Sequence, residues 1–231
     1  MLRIVSSLAR SSARSFALPR SLGLRAIASA TASNPASTRL SKALAAELQE
    51  EKSQYEQPSL LKSFLRDSDW KLTDTDGDVN MKLVREFGGK SVSVEWQLVS
   101  PFNSEMDFEG EEGENAEEES RMESTDFTIT VSDKRDQGVI FYCSTSAGEG
   151  HRYVIGNVRS FGSAAERESV SAYNGPDFED LQESLQEGFD EFLAEVGVND
   201  ELCDFVDAAA VDKEQREYIR WLSNIQGVLA K

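Results

Sequence analysis

Along the chain the spacing of hydrophobic positions changes twice. Leu40, Leu44 and Leu48 recur every four residues with Ala43, Ala45 and Ala46 between them, which predicts a helix of about four turns. Pro58 bars a helical Gln57 and closes it. Leu60, Leu61, Phe64 and Leu65 add a short second helical piece. The period then drops to two. Trp70 and Leu72 lead into Asp76-Gly77, a hairpin turn pair, and Val79, Met81 and Leu83 alternate with polar neighbours. After a turn at Gly88-Gly89 the alternation resumes at Val92, Val94, Trp96 and Leu98, then at Phe127, Ile129 and Val131, then at Val139, Phe141 and Cys143. It weakens over 153–158, and a last short strand fits 168–172. Six or seven strands with short turns predict an antiparallel sheet, apolar on one face and polar on the other.

The last third returns to helical spacing. Asn174-Gly175-Pro176 supplies a cap and a first-turn proline, and Phe178, Leu181, Leu185, Phe189, Phe192 and Val196 form one stripe. Gly197-Val198 reads as a left-handed stop. A second run starts at Asn199-Asp200 and carries Leu202, Phe205 and Val206. A third starts at Asp212, where Asp212 and Gln215 fit a capping box, with a stripe of Tyr218, Trp221, Leu222, Ile225 and Leu229. The pattern leaves open whether these two runs fuse. Leu44, Leu48, Phe178, Leu181, Leu185, Phe189, Phe192, Tyr218, Trp221, Leu222 and Ile225 are the expected helix-packing or subunit-packing positions, because stripes this heavy need a sheet or another subunit to cover them. The expected class is therefore α+β.

Composition divides the chain. Residues 1–40 hold six arginines (Arg3, Arg10, Arg14, Arg20, Arg25 and Arg39), no Lys, no Asp and no Glu, with Ser and Ala filling most of the rest. This is transit-peptide chemistry, and arginines interrupt any apolar core of secretory-signal length. Cleavage is expected between Arg20 and Ser41, leaving residues 41–231 as one domain in the mitochondrial matrix. Removing six of the 24 basic residues leaves 18 against 42 acidic ones, a net charge near −24. Such a field repels nucleic acid and attracts basic proteins, so sequence-specific nucleic-acid binding is not expected. No apolar run reaches membrane-spanning length.

The charge is concentrated. Glu105, Asp107, Glu109, Glu111, Glu112, Glu114, Glu117, Glu118, Glu119 and Glu123 fall in one insertion with a single base, Arg121. Such density resists packing, so 103–124 is expected to be a mobile loop between strands. It is either a docking loop for basic partners or a solvated linker. Glu179, Asp180, Glu183 and Glu187 are further acids expected at the surface.

Chemistry-bearing motifs are missing from the sequence. The one histidine, His151, follows Gly148-Glu149-Gly150 at a turn and has no second His or paired Cys to complete a zinc site. Asp74-Thr75-Asp76-Gly77-Asp78 fails as a calcium loop, since Leu72 and Leu83 stand where ligands are needed. Gly88-Gly89-Lys90-Ser91 lacks the first glycine of a phosphate loop. No nucleophile elbow occurs. Cys143 and Cys203 sit alone in apolar runs, as buried thiols do. No cofactor and no enzymatic activity are expected.

One likeness covers residues 40 to 231. Tyr173-Asn174-Gly175-Pro176-Asp177-Phe178, then Leu181, Leu185-Gln186, Phe189, Phe192-Leu193 and Val196-Gly197-Val198 resemble the mitochondrial acidic matrix protein family. It is also called the mitochondrial glycoprotein family, and it includes the complement component-binding protein of animals. Lys213-Glu214 and Tyr218-Ile219 with Trp221-Leu222 match its last helix, and Val79, Met81, Leu83, Val92 and Val94 match its early strands. The chain departs from the family at Val196, where an Arg is expected before the helix-ending glycine. The resemblance implies a seven-stranded twisted antiparallel sheet flanked by one N-terminal and two to three C-terminal helices. It also implies a doughnut-shaped homotrimer with one strongly acidic face. The implied role is non-enzymatic and chaperone-like: binding basic partners such as mitochondrial ribosomal proteins and supporting mitochondrial ribosome biogenesis, translation and oxidative phosphorylation. The alternative is a structural assembly factor for respiratory complexes that acts through the sheet or helix faces.

Overall fold

The computed structural model describes residues 35–98, 124–146 and 152–229. Two helices open it, α1 (Pro35–Gln54) and α2 (Ser59–Asp67). Six strands follow: β1 (Lys71–Asp74), β2 (Asn80–Phe87), β3 (Lys90–Gln97), β4 (Asp126–Ser132), β5 (Gly138–Thr145) and β6 (Tyr153–Phe161). A short turn of helix, α3 (Ala164–Arg167), and a 3-10 turn (Phe178–Asp180) lead to α4 (Glu183–Glu195) and α5 (Asp200–Leu229).

The strands pair in chain order as one antiparallel meander. Its register puts the alternating apolar residues in rows: Leu72, Leu83, Val94, Ile129, Phe141 and Val158 cross the sheet in one line. Met81, Trp96, Phe127, Cys143 and Ile155 form the next. Most of these side chains are fully buried, and α2, α4 and the first half of α5 cover them. Gly156 is the extra residue of a bulge, because Tyr142 pairs Asn157 while Cys143 pairs Ile155.

Among the described residues the sheet has six strands, not the seven that the family likeness implies. The short strand expected at 168–172 is absent. Arg159, buried on the face opposite the core, donates to the carbonyls of Glu166 and, at 3.1 Å, Ser169, and so holds this segment in turns. Beyond β6 only the single bridge between Asn157 and Asp177 extends the ladder. That bridge also explains why the predicted helix does not start at Pro176. Asp177 is extended (φ −60°, ψ 137°), and Phe178 turns into the core and packs 6.2 Å from Phe189. The α-helix begins only at Glu183.

Gly175 is what lets the chain reach that bridge. Its φ is +89°, and a Cβ there would lie 2.2 Å from the Val158 backbone oxygen. Gly175→Ala is expected to destabilise the protein by about 2–4 kcal/mol, combining left-handed strain with displacement of the edge. Urea unfolding measures this, and a change within about 0.5 kcal/mol, ordinary for a surface substitution, would refute it.

The two last helical runs are one. α5 is 30 residues long and passes through Asp212 without a break. Asn199 caps it, its side-chain oxygen accepting from the Leu202 amide at 3.0 Å. Asp212 is therefore no cap; it is mid-helix and 4% exposed. The first half of α5 buries Leu202, Phe205, Val206, Ala209 and Ala210 on the sheet core. The second half pairs with α1, where Leu44, Leu48 and Leu222 form a satellite cluster flanked by Tyr218, Ile219, Ile225 and Leu229.

Candidate interaction surfaces

Among the described residues no group of His, Cys, Asp and Glu could hold a metal ion. His151 lies outside them. Both cysteines are buried free thiols. Burial pushes each thiol up, Cys203 to about 12, so both stay protonated at neutral pH. Asp74, at the start of the acidic β1–β2 turn, has its charge committed to α5. Lys213, on α5, is fully buried, and its Nζ lies 2.8 Å from Asp74 Oδ1 and 2.9 Å from Glu217 Oε1 and donates to the Thr75 carbonyl at 2.7 Å. Arg216 bridges Asp74 at 2.5 Å and Asp212 at 2.8 Å, and Tyr55 donates to Asp212 at 2.9 Å. Glu217 also accepts from the Gly77 amide at 2.7 Å. Burial pushes the Asp74 carboxyl up, but Lys213 and Arg216 push it down further, so it ends below its ordinary range. This network fastens the hairpin to α5 and the end of α1.

Among the described residues the polar face of the sheet carries a groove of about 920 Å³, its floor including Asn80, Lys82, Glu95, Asp126, Thr128 and Tyr142. The register arranges these as rungs: Lys82 opposite Glu95, Glu95 opposite Thr128, and Thr128 opposite Tyr142. Lys82 and Glu95 pair at 2.7 Å with both side chains about half exposed. Asp126 accepts from the Ser144 hydroxyl at 2.5 Å and has no ion pair among the described residues. Leu98 and Ser124 line the same groove, and the acidic insertion joins these two residues.

A second groove, about 540 Å³, runs between α4 and the β4–β5 hairpin. It is apolar, walled by Val131, Val139, Phe141, Leu185, Phe189 and Phe192, with the Lys90 ammonium 5.1 Å above the Phe192 ring.

The predicted packing positions divide among these places. Phe178 is buried, and Leu181, Phe189 and Phe192 pack against the main core. Leu44, Leu48, Leu222, Tyr218 and Ile225 join α1 to α5. Leu185 and Trp221 are exposed, at 46% and 53%, Trp221 stacking on Tyr218 with centroids 5.9 Å apart. Glu179, Asp180, Glu183 and Glu187 are all exposed. The ten acids from Glu105 to Glu123 lie outside the described residues. Sequence reasoning missed the buried Lys213 and Arg159. For Lys213 a signal existed, since Asp212–Arg216 and Lys213–Glu217 are interleaved i,i+4 pairs.

Known proteins share this arrangement. Structures with the same fold include a Leishmania major protein of unknown function described as a sequence homologue of human p32. It is 21% identical with a TM-score of 0.65, the match covering 84% of this chain and 99% of that one. The Trypanosoma brucei p22 protein is 24% identical with a TM-score of 0.62, covering 84% and 98%. In sequence, the mitochondrial acidic protein mam33 of Schizosaccharomyces pombe is 27% identical over 225 residues, 86% of this chain and 80% of that protein. An uncharacterised mitochondrial protein of Arabidopsis thaliana is 29% identical over 157 residues, 68% of this chain, and the match spans 60% of that relative's length. The family model described as mitochondrial glycoprotein, MAM33, matches residues 44–229, from the satellite cluster on α1 to the last residue of α5. With the acidic composition, the meander and its helical cover in agreement over that span, the chain belongs to the mitochondrial glycoprotein (MAM33) family.

Proposed function

We propose that this protein is a non-enzymatic acidic factor of the mitochondrial matrix that binds basic proteins through its charge. In this reading it supports ribosome biogenesis, translation and oxidative phosphorylation by holding basic ribosomal proteins before RNA covers them. It acts as a homotrimer, so that weak contacts multiply across repeated acidic surfaces. One observation carries the reading: ten carboxylates within 19 residues, 105–123, with one arginine among them. An anionic field of this size draws cationic partners and speeds their encounter, and salt weakens it because the screening length falls to about 8 Å near 0.15 M.

The test is capture from matrix extract with the protein isolated from mitochondria, with and without residues 105–123, at two salt concentrations. Basic ribosomal proteins are expected on the intact protein at low salt. They should be largely lost above about 0.15 M salt and largely lost without the insertion. Salt-insensitive binding, or respiratory subunits held equally by both forms, would overturn it.

A further inference from the structure

We propose that the apolar groove between α4 and the β4–β5 hairpin binds a single-chain amphiphile with a carboxylate head, a free fatty acid of medium chain length. This use is independent of the acidic surface.

The groove is polar at one end and apolar over the rest. Register brings the polar groups together. Ser132 pairs with Ser91, next to Lys90, and the Gln137 carbonyl accepts from the Asp133 amide at 2.8 Å to close the β4–β5 turn. From there the walls run over Val131 and Val139, which pair across the hairpin, to Phe141, which is fully buried. On the helix side Leu185, Gly188, Phe189 and Phe192 share one face of α4 by their spacing. Gly188 is the position that leaves room. A Cβ there would meet nothing within 4 Å, and a glycine inside a helix weakens it relative to alanine. The helix thus accepts a weaker residue where the groove is open.

Charge selects the head group. The chain is strongly acidic, at −18 over its 231 residues, yet the cation on this groove is unclaimed. Lys90 is exposed and makes no ion pair among the described residues; its ammonium lies 5.1 Å from the centroid of the Phe192 ring. At an exposed site such a contact is weak, which leaves the ammonium free to take a carboxylate. The single acid lining the groove, Asp133, is committed to its own turn. It accepts from the Arg135 and Gln137 amides at 2.8 and 3.1 Å and pairs with the Arg135 guanidinium at 3.1 Å.

Size and wall chemistry favour an acyl chain over a peptide. The volume of about 540 Å³ falls within the range of small-molecule sites, roughly 300–1,000 Å³. A peptide backbone buried here would need partners for its amides, and the apolar walls supply none. An acyl chain has no such groups to satisfy.

Isothermal titration calorimetry of the mature protein with octanoate, decanoate, decanol and decylamine tests this. Decanoate is expected to bind about tenfold tighter than octanoate, because two more methylenes leave water. It should bind about three- to fivefold tighter than decanol, through Lys90. Decylamine is expected to bind weakest of the three ten-carbon probes, although the bulk charge of the protein favours it. Lys90→Gln should bring decanoate down to the affinity of decanol and leave decanol unchanged. Gly188→Leu, a change that favours the helix, should weaken both by more than about tenfold with circular dichroism retained. Decylamine binding as tightly as decanoate, or decanoate binding that survives Gly188→Leu, would overturn the site. So would an unaltered protein that takes up no decanoate. In that case sedimentation of the Gly188→Leu variant identifies the true cover, a lighter species marking the groove as an interface with a second copy. The capture of basic proteins stands or falls separately from every one of these outcomes.

Discussion

Lys213→Met is expected to lower the unfolding free energy by about 3–5 kcal/mol, the usual cost of removing one member of a buried ion pair. The reason lies in what remains. Asp74 and Glu217 side chains are each only 18% exposed, and both face the vacated position. Methionine fills the volume but leaves Asp74 with Arg216 alone as its close counter-charge and Glu217 with only the longer contact to Arg220 at 3.5 Å. For a domain of about 190 residues this corresponds to a fall in Tm on the order of 10 °C. The pH dependence has a definite sign. The Asp74 and Glu217 carboxyls are held below their ordinary range in the folded protein, so their contribution is present above the unfolded pKa, about 4, and lost as pH falls through the folded values. The Lys213 ammonium is held above its ordinary value: burial lowers it, but Asp74 and Glu217 raise it by more. Its contribution is present below about pH 10 and lost above that. The deficit of the variant should therefore be full from about pH 5 to 10 and shrink outside this window. Adding Glu217→Gln to the Met variant should recover part of the loss, since the less compensated carboxylate is then gone while a Gln oxygen can still accept from the Gly77 amide. Urea unfolding at fixed protein concentration measures all of this. A loss under about 1 kcal/mol, or no recovery in the double variant, would show that the network does not hold the hairpin to α5.

Which parts of this molecule the sequence displayed follows from how each is held. The meander was legible because each strand is covered on one face only, so Val92, Val94 and Trp96 alternate with Ser93, Glu95 and Gln97. The helix stop at Gly197 was legible because a left-handed residue, here at φ +92°, nearly always advertises itself as glycine. The join within α5 was open at the sequence level because two different partners divide the helix. Phe205 and Val206 face the sheet, and Leu222 faces α1, so the stripe shifts between them and imitates two helices. The absence of Gly and Pro from 200–226 was the available sign of continuity. Asp212 and Gln215 matched a capping box by spacing alone. Their true partners, Tyr55 and Arg216 for Asp212 and Glu51 for Gln215, come partly from residues more than 150 positions away. No local pattern reports such pairs. The seventh strand failed for a similar reason: the guanidinium that occupies the carbonyls of Glu166 and Ser169 belongs to β6.

The second large effect is expected at Phe205, where three elements meet. Its ring is fully buried, stacked on Phe64 of α2 with centroids 4.5 Å apart and edge-on to Trp96 of β3 at 6.2 Å. Phe205→Ala removes the piece that α2, α5 and the sheet share, and should cost about 3–5 kcal/mol through lost burial and the cavity left behind. The cost should sit at the high end, because two rigid aromatic rings and a sheet cannot collapse into the space as flexible side chains do. Phe205→Leu keeps most of the volume and is expected to lose less than about 1.5 kcal/mol. Spectroscopy adds a readout that stability alone does not give. Trp96 is 3% exposed and loses its edge-on neighbour, so the near-ultraviolet circular dichroism should weaken while the far-ultraviolet signal of helix and sheet is kept. Trp221, near the far end of α5 and already half exposed, should contribute no change. Equal losses for the Ala and Leu variants would mean that the ring geometry, and not the filled volume, sets the stability of this junction. An Ala variant within about 1 kcal/mol of the natural protein would mean that the helices are held to the sheet elsewhere, with α1–α5 pairing and the Lys213 network as the remaining candidates.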